Sequence, residues 1–215
     1  MTAVSDDTTR PAPVQQAPAQ ELPEPPPSDP AMIGVPTFVV GALALGLALV
    51  GFLPPTATAG ILPIVIMTTG VGQLLAALWA VRLGASAVAC IFAVFAGFWF
   101  SYAALLLGLA HGWYGIAEED VSQVVSTYLL CWSVAVAVLA LVTLRLPLAF
   151  TVLFVLVDIA LVLVLLGNEL GSSALSKAGG VVVLSFAALG VYLFAGSASV
   201  ATGGPPLPLG RPLQR

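Results

Sequence analysis

Six long apolar runs occupy the centre of this chain, and they constrain its fold more than any other feature. Each run is close to the roughly 20 residues that a helix needs to cross about 30 Å of hydrocarbon. Asp158 is the one formal charge inside any of the runs. A charged carboxyl group at mid-bilayer costs roughly 2.5–3.5 kcal/mol on insertion scales, so such a residue usually faces a bundle interior or a water path.

The composition excludes a soluble fold. The chain has 215 residues, of which 60% are hydrophobic and 7% are charged, whereas soluble domains carry about a quarter charged residues. The sequence therefore predicts an all-α integral membrane protein, a bundle of six transmembrane helices. The predicted helices cover residues 35–53, 61–82, 86–110, 122–144, 147–167 and 178–200.

The helices divide the chain into three parts. Residues 1–30 contain eight prolines and five acidic residues, a composition that is typical of a disordered tail. We expect a proline-rich tail over residues 1–32, a six-helix transmembrane domain over 33–201, and a cytoplasmic C-terminal tail over 202–215.

The charges between the helices predict how the chain is oriented. Arg82 ends helix 2, and Arg145 and Arg211 follow helices 4 and 6, whereas the acidic residues 118–120 lie on the opposite side. Lysine and arginine mark the cytoplasmic side of a membrane, so both termini are predicted to be cytoplasmic. Lys177 is the one basic residue that falls on the other side.

Several polar and aromatic side chains share a depth near the middle of the membrane. At 1.5 Å per residue, Gln73 and Phe95 lie about 13 Å from the cytoplasmic ends of their helices, and Asp158 lies about 16 Å deep. Phe98 and Trp99 lie at about 18–20 Å. A narrow permeation path for a small solute would need this combination of polar groups and aromatic rings.

Each of these residues also has a purely structural interpretation. Asp158 is either a protonated or hydrogen-bonded carboxyl group that bridges helices, or a group beside the path that gates it or relays a proton. Gln73 either forms a hydrogen bond between helices or lines the path. The aromatic side chains are either core packing or the wall of the path. The sequence leaves these alternatives open.

Signatures of enzyme chemistry are absent from the sequence. There is a single histidine, His111, no phosphate-binding loop, and no His/Cys/Asp spacing that would suit a metal. Nucleophilic catalysis would lack its usual base. The sequence therefore predicts a protein that is not an enzyme and needs neither a cofactor nor a metal. No basic cluster suggests a nucleic-acid partner.

The segment from Phe95 to Ser101 reads FAGFWFS. It resembles the aromatic-x-x-Phe-Trp-x-Ser/Thr segment of the acetate uptake transporter family, which comprises the succinate–acetate permeases and their yeast relatives. The resemblance covers residues 33–212. Other features at matching places are Gln73 eleven residues before Gly84, Tyr128 with Trp132, Gly167-Asn168 at the end of helix 5, and Leu207-Pro208-Leu209-Gly210-Arg211 after helix 6.

The resemblance implies a six-helix subunit that assembles into a homohexamer in the plasma (inner) membrane, with one path in each protomer. The substrates would be acetate and related short monocarboxylates, with succinate as a further candidate, moved together with protons or through a channel. By alignment, Phe95 and Val157 take the places where the family's path narrows. Pro36 and Phe38 belong to a helix 1 signature at the cytoplasmic mouth of the path, of which Pro36 clearly survives.

Two other functions fit the same residues. One is a pore for neutral solutes such as urea or amides, because the membrane-spanning runs contain no cation. The other is a membrane protein that transports nothing and recruits a partner through its N-terminal tail, where Pro23 and Pro26 form a Pro-x-x-Pro arrangement.

Overall fold

A computed structural model describes residues 28–214 of the protein. Within that range every regular element is helical, and six spans are long and apolar enough to cross a membrane. The predicted fold class is thereby confirmed. The six α-helices are α1 (Ala31–Val50), α2 (Val71–Arg82), α3 (Ser86–Ala110), α4 (Val121–Thr143), α5 (Leu148–Glu169) and α6 (Ser173–Ala201).

The limits of α1 differ from the predicted residues 35–53. The helix starts at Ala31 because the Asp29 side chain accepts a hydrogen bond from the Ala31 backbone N–H at 2.9 Å, which satisfies one donor of the first turn. It ends at Val50 because Gly51 adopts a left-handed conformation with φ of 87°. Pro36 therefore lies inside α1 rather than near its start.

The second span is less regular than the single helix predicted over residues 61–82. A 3-10 helix, Pro55–Ile61, and a π-helical segment, Ile64–Gly70, precede α2. Pro55 and Pro63 lie in the first half of the span and Pro54 directly precedes it, and none of the three has the backbone N–H that a regular helix needs. The second span reaches regular α-helical geometry only from Val71 onwards.

The helices form a ring in the order α3, α2, α1, α6, α5, α4, with each helix packed against the next. The ring closes where α3 meets α4, and there the contact is made mainly by side chains. The Tyr128 hydroxyl on α4 donates to the backbone oxygen of Phe98 on α3 at 3.0 Å, and the Trp132 ring lies 5.3 Å from that of Phe98. An enclosed space therefore lies along the axis of the bundle.

The end of the bundle that carries Arg82, Arg145 and Arg211 is called the basic end here, and the opposite end, with residues 118–120, the acidic end. The C-terminal segment folds back over the basic end. The Ala149 N–H donates to the Leu209 backbone oxygen at 2.9 Å. The predicted tail is thus packed against α5 over its described residues. Residues 1–27, with Pro23 and Pro26, lie outside the part of the chain that the structure describes.

Helices α1 and α6 approach each other closely at Gly180. A Cβ atom added at Gly180 would lie 2.7 Å from Leu49 Cβ and 3.0 Å from the Val50 backbone nitrogen. Overpacking costs about 1–3 kcal/mol, against a gain in helix propensity of about 1 kcal/mol. Because a backbone atom cannot move aside cheaply, we expect Gly180→Ala to lower the melting temperature of the detergent-solubilised protein. Gly60→Ala is the control, since nothing lies within 4 Å of its added Cβ; equal melting temperatures would contradict the close approach.

Candidate functional site

A cavity of about 80 Å³ lies on the axis of the bundle. This volume is several times what a single water needs. Five of the six helices contribute to its wall, and α2 does not. The wall is formed by Phe38, Leu45, Leu49, Phe95, Phe98, Trp99, Tyr102, Tyr128, Leu129, Val157, Ala160, Leu161, Val164, Val183 and Phe186. Five of the eight predicted path residues are therefore together here: Phe38, Phe95, Phe98, Trp99 and Val157.

The wall of this axial cavity is apolar and carries no formal charge. Its polar groups belong to aromatic side chains. The indole nitrogen Nε1 of Trp99 is buried and has no hydrogen-bond partner among residues 28–214. The hydroxyl of Tyr128 is engaged with the Phe98 carbonyl, with Ser101 Oγ 3.2 Å away. Trp99 thus has one buried N–H donor without a partner among the described residues, and an unpaired buried donor is costly.

A second, wider pocket of about 340 Å³ opens at the basic end, and it is called the vestibule here. It lies between the start of α1, the end of α6 and the C-terminal segment. On three helices, residues that line the vestibule and residues that line the axial cavity are only one to two turns apart. These pairs are Val35 and Phe38 on α1, Phe150 and Val157 on α5, and Leu193 and Phe186 on α6.

Four phenyl rings separate the axial cavity from the vestibule, and they are called the phenyl barrier here. The ring centroid of Phe38 lies 5.3 Å from that of Phe95 and 5.6 Å from that of Phe186. The ring of Phe95 in turn lies 5.5 Å from that of Phe154, nearly edge to face. A hydrophobic constriction of this kind opposes the passage of hydrated ions, because an ion would have to shed its water.

Sequence reasoning missed Phe154 and Phe186. Both lie well inside long apolar helices, where an aromatic residue carries no local signal of its role. The family-like segment drew attention to α3, and no comparable pattern marks α5 or α6. The depth of Phe154 could have been calculated from the helix rise, but its direction around the helix follows only from the packing.

Gln73 and Pro36 do not line the cavity or the vestibule. Gln73 is almost fully buried, and its Nε2 donates to the Gly34 backbone oxygen of α1 at 2.6 Å. This contact is the interhelical hydrogen bond that the sequence offered as one alternative. Its Oε1 has no partner among the described residues. Gln73 thus holds the start of α1 against α2, next to the phenyl barrier rather than within it.

Asp158 is half-buried and does not line the axial cavity, although its neighbour Val157 does. Its Oδ1 is buried without a hydrogen-bond partner among residues 28–214. The predicted depth places Asp158 near mid-membrane, but its side chain lies on a different face of α5 from the cavity wall. The structure therefore brings together the aromatic candidates and separates them from the two polar ones.

The fold and the site define a multi-pass membrane protein with an apolar axial cavity. Residues 13–203 match the GPR1/FUN34/yaaH family. The bacterial acetate channel SatP, a solved structure, is similar with a TM-score of 0.75 and 25% identity, over 86% of this chain and 99% of the other. The chain belongs to the GPR1/FUN34/yaaH family, which confirms the predicted relationship and the prediction that it is not an enzyme.

Two curated fungal proteins are also similar. One is the Ammonia transport outward protein 2 of Saccharomyces cerevisiae, 29% identical over 127 residues, which are 55% of this chain and 44% of the yeast protein. The other is the Meiotically up-regulated gene 86 protein of Schizosaccharomyces pombe, 30% identical over 99 residues, which are 44% of this chain and 31% of the fission-yeast protein. The matched part spans less than half the length of each of these relatives.

Proposed function

We propose that the protein conducts acetate and related short monocarboxylates across a membrane, through the axial cavity of each protomer. The observation that carries the proposal is the apolar cavity closed by the phenyl barrier on the axis of a bundle that resembles an acetate channel. The vestibule gives the solute a route between the barrier and the basic end. Succinate is a further candidate substrate.

The chemistry of the wall supports a small acid with one apolar end. The methyl group of acetate suits the phenyl and aliphatic side chains of the wall. No cation on the wall balances a carboxylate charge. A naked charge in such a space is strongly disfavoured, so the acid passes in its protonated form or together with a proton.

The resemblance also supports proposals about the assembly. The functional unit is a homohexamer in the plasma (inner) membrane, with the basic end and both termini in the cytoplasm. The proline-rich residues before α1 form a separate tail, residues 31–201 the transmembrane domain, and residues 202–215 a cytoplasmic segment that follows it. Mass spectrometry of the intact complex released from lipid nanodiscs tests the subunit count.

A neutral-solute pore is the second candidate, and the uncharged cavity wall favours it. The yeast relative named for outward transport of ammonia points to the same class of small, neutral solute. A third candidate, a protein that only recruits a partner through its tail, is tested by deleting residues 1–27. Loss of function in that deletion, with no effect of substitutions at Phe95, would favour recruitment.

Flux through reconstituted protein tests the proposed function directly. We expect proteoliposomes to take up labelled acetate faster than protein-free liposomes, and the protein-dependent rate to fall as the external pH rises, because less of the acid is then protonated. Urea, which is neutral at every pH used, is expected to pass poorly. Uptake of urea or ammonia without uptake of acetate would overturn the assignment in favour of the neutral-solute pore.

A further inference from the structure

The interface between α4 and α5 contains a row of polar groups that runs across the membrane. At the basic end, Thr151 Oγ1 donates to the Thr143 backbone oxygen at 2.8 Å. At the acidic end, Asn168 Nδ2 donates to Ser126 Oγ at 2.8 Å. Both pairs give the same antiparallel register of α4 against α5, so the two hydrogen bonds fix which residues face one another between them.

In that register Asp158 lies opposite Val136. It occupies the same stripe of α5 as Thr151, seven residues earlier, and it therefore faces α4. Ser133 occupies the same stripe of α4 as Ser126, also seven residues apart, and it lies one helical turn from Val136. The axial offset between Ser133 and Asp158 is about 4.5 Å, so both side chains enter one stretch of the interface near mid-membrane.

These two residues hold the unpaired atoms of the row. Ser133 Oγ and Asp158 Oδ1 are both buried, and neither has a hydrogen-bond partner within residues 28–214. Thr151, Asn168 and Ser126 are paired. Ser133 Oγ and Asp158 Oδ1 do not bond each other, yet both lie in the same interface. One water molecule between them can form a hydrogen bond with each.

No fixed cation balances the Asp158 carboxyl group from the helices that pack against α5. The titratable side chains of α4 are Tyr128 and Cys131, and those of α6 are Lys177 and Tyr192. Lys177 lies roughly 10 Å along the bundle from Asp158, toward the acidic end, and its side chain lies beside Gly51 after the end of α1. On α5 itself the other ionisable group is Glu169, in its last turn. The counter-charge available to Asp158 is a proton.

We propose that Asp158 and Ser133 form a binding site for one water molecule and one exchangeable proton in the α4–α5 interface, outside the axial cavity. The water donates to Asp158 Oδ1 and bonds Ser133 Oγ. The same two helices contribute Leu129, Val157 and Ala160 to the cavity wall. Binding or release of the proton changes the packing of α4 on α5, so the position of the cavity wall depends on pH. This coupling places no charge in the path of the solute.

Infrared difference spectroscopy on the full chain in lipid nanodiscs tests the site. We expect a carboxylic-acid C=O band that Asp158→Asn removes, that shifts in D₂O buffer, and that Ser133→Ala shifts without removing. Labelling with ¹³C-aspartate identifies the band with Asp158 intact, in case the asparagine variant does not fold. Ser185→Ala is the matched control, because Ser185 is exposed and bonds the Val181 carbonyl of its own helix. Absence of an Asp158 acid band at every pH, or a band that Ser133→Ala leaves unmoved, would overturn the proposal.

A second test measures acetate uptake by the same variants. This test rests on the proposed function, whereas the infrared test does not. Asp158→Asn is expected to make acetate uptake fall less steeply with rising pH, leaving the part of the fall that the protonation of acetate itself sets, while Ser185→Ala keeps the wild-type profile. An unchanged profile in Asp158→Asn would remove the link between the site and the path. Wild-type protein that takes up no acetate would contradict the proposed function instead, and would leave the infrared result to stand by itself.

Discussion

Substitution of Ala160 by phenylalanine is expected to stop acetate flux. Ala160 is almost fully buried on α5 and lines the axial cavity. An added phenyl ring would occupy the cavity of about 80 Å³ and leave no room for a solute. We expect the acetate flux of Ala160→Phe proteoliposomes to fall by more than about tenfold, because a filled hydrophobic constriction conducts neither solute nor water.

The neighbouring residue provides the matched control. Ile159 is 43% exposed on the outer surface of the bundle, so Ile159→Phe adds a ring of the same size on the side away from the cavity. Flux is expected to stay near wild type in this variant. Size-exclusion chromatography of both variants confirms that they are folded. Wild-type acetate flux in folded Ala160→Phe would show that the solute takes another route.

Removal of the Phe95 ring is expected to open the phenyl barrier. Phe95 joins the rings of Phe38 and Phe154, so its loss disconnects the barrier at its centre. We expect Phe95→Ala to admit longer acids such as butyrate. The butyrate-to-acetate flux ratio should rise roughly tenfold, because each methylene group that a hydrophobic pocket accepts or excludes changes specificity by about that factor. Competing uptake of the two labelled acids measures the ratio.

Stability needs a separate check for this variant. Truncation of a buried phenylalanine costs about 3–5 kcal/mol, so Phe95→Leu, which keeps much of the apolar volume, accompanies it. Phe52→Ala is the control for a lost ring at an exposed site, because Phe52 is 73% exposed beyond the end of α1. A flux ratio that stays at the wild-type value in folded Phe95→Ala and Phe95→Leu would contradict the barrier.

The sequence predicts the six helices because hydrocarbon imposes a strict length and polarity on each span. Boundaries are predicted less well where side chains decide them. The Asp29 side chain moves the start of α1 to Ala31, and Ser172, which accepts from the Leu175 N–H at 3.4 Å, starts α6 at Ser173 rather than near residue 178. Such contacts depend on local geometry that an apolar pattern does not contain.

The candidate site could likewise be predicted from the sequence only in part. Phe95, Phe98 and Trp99 could be predicted because one short segment carries all three and resembles a known family. The depth of Asp158 could be calculated from the helix rise, but its rotation toward α4 rather than toward the cavity could not. Rotation is set by which face of α5 packs against its neighbours, and in a helix that is apolar all round the sequence does not mark that face.

The central claim is that small acids pass through the axial cavity, and cysteine accessibility along α5 tests it most directly. With Cys90 and Cys131 replaced by serine, Val164→Cys places a thiol on the cavity wall and Val162→Cys places one on the exposed surface. The account predicts that a small methanethiosulfonate reagent blocks acetate flux in Val164→Cys, that acetate slows the block, and that Val162→Cys keeps its flux. Full flux after complete modification of Val164→Cys would contradict it.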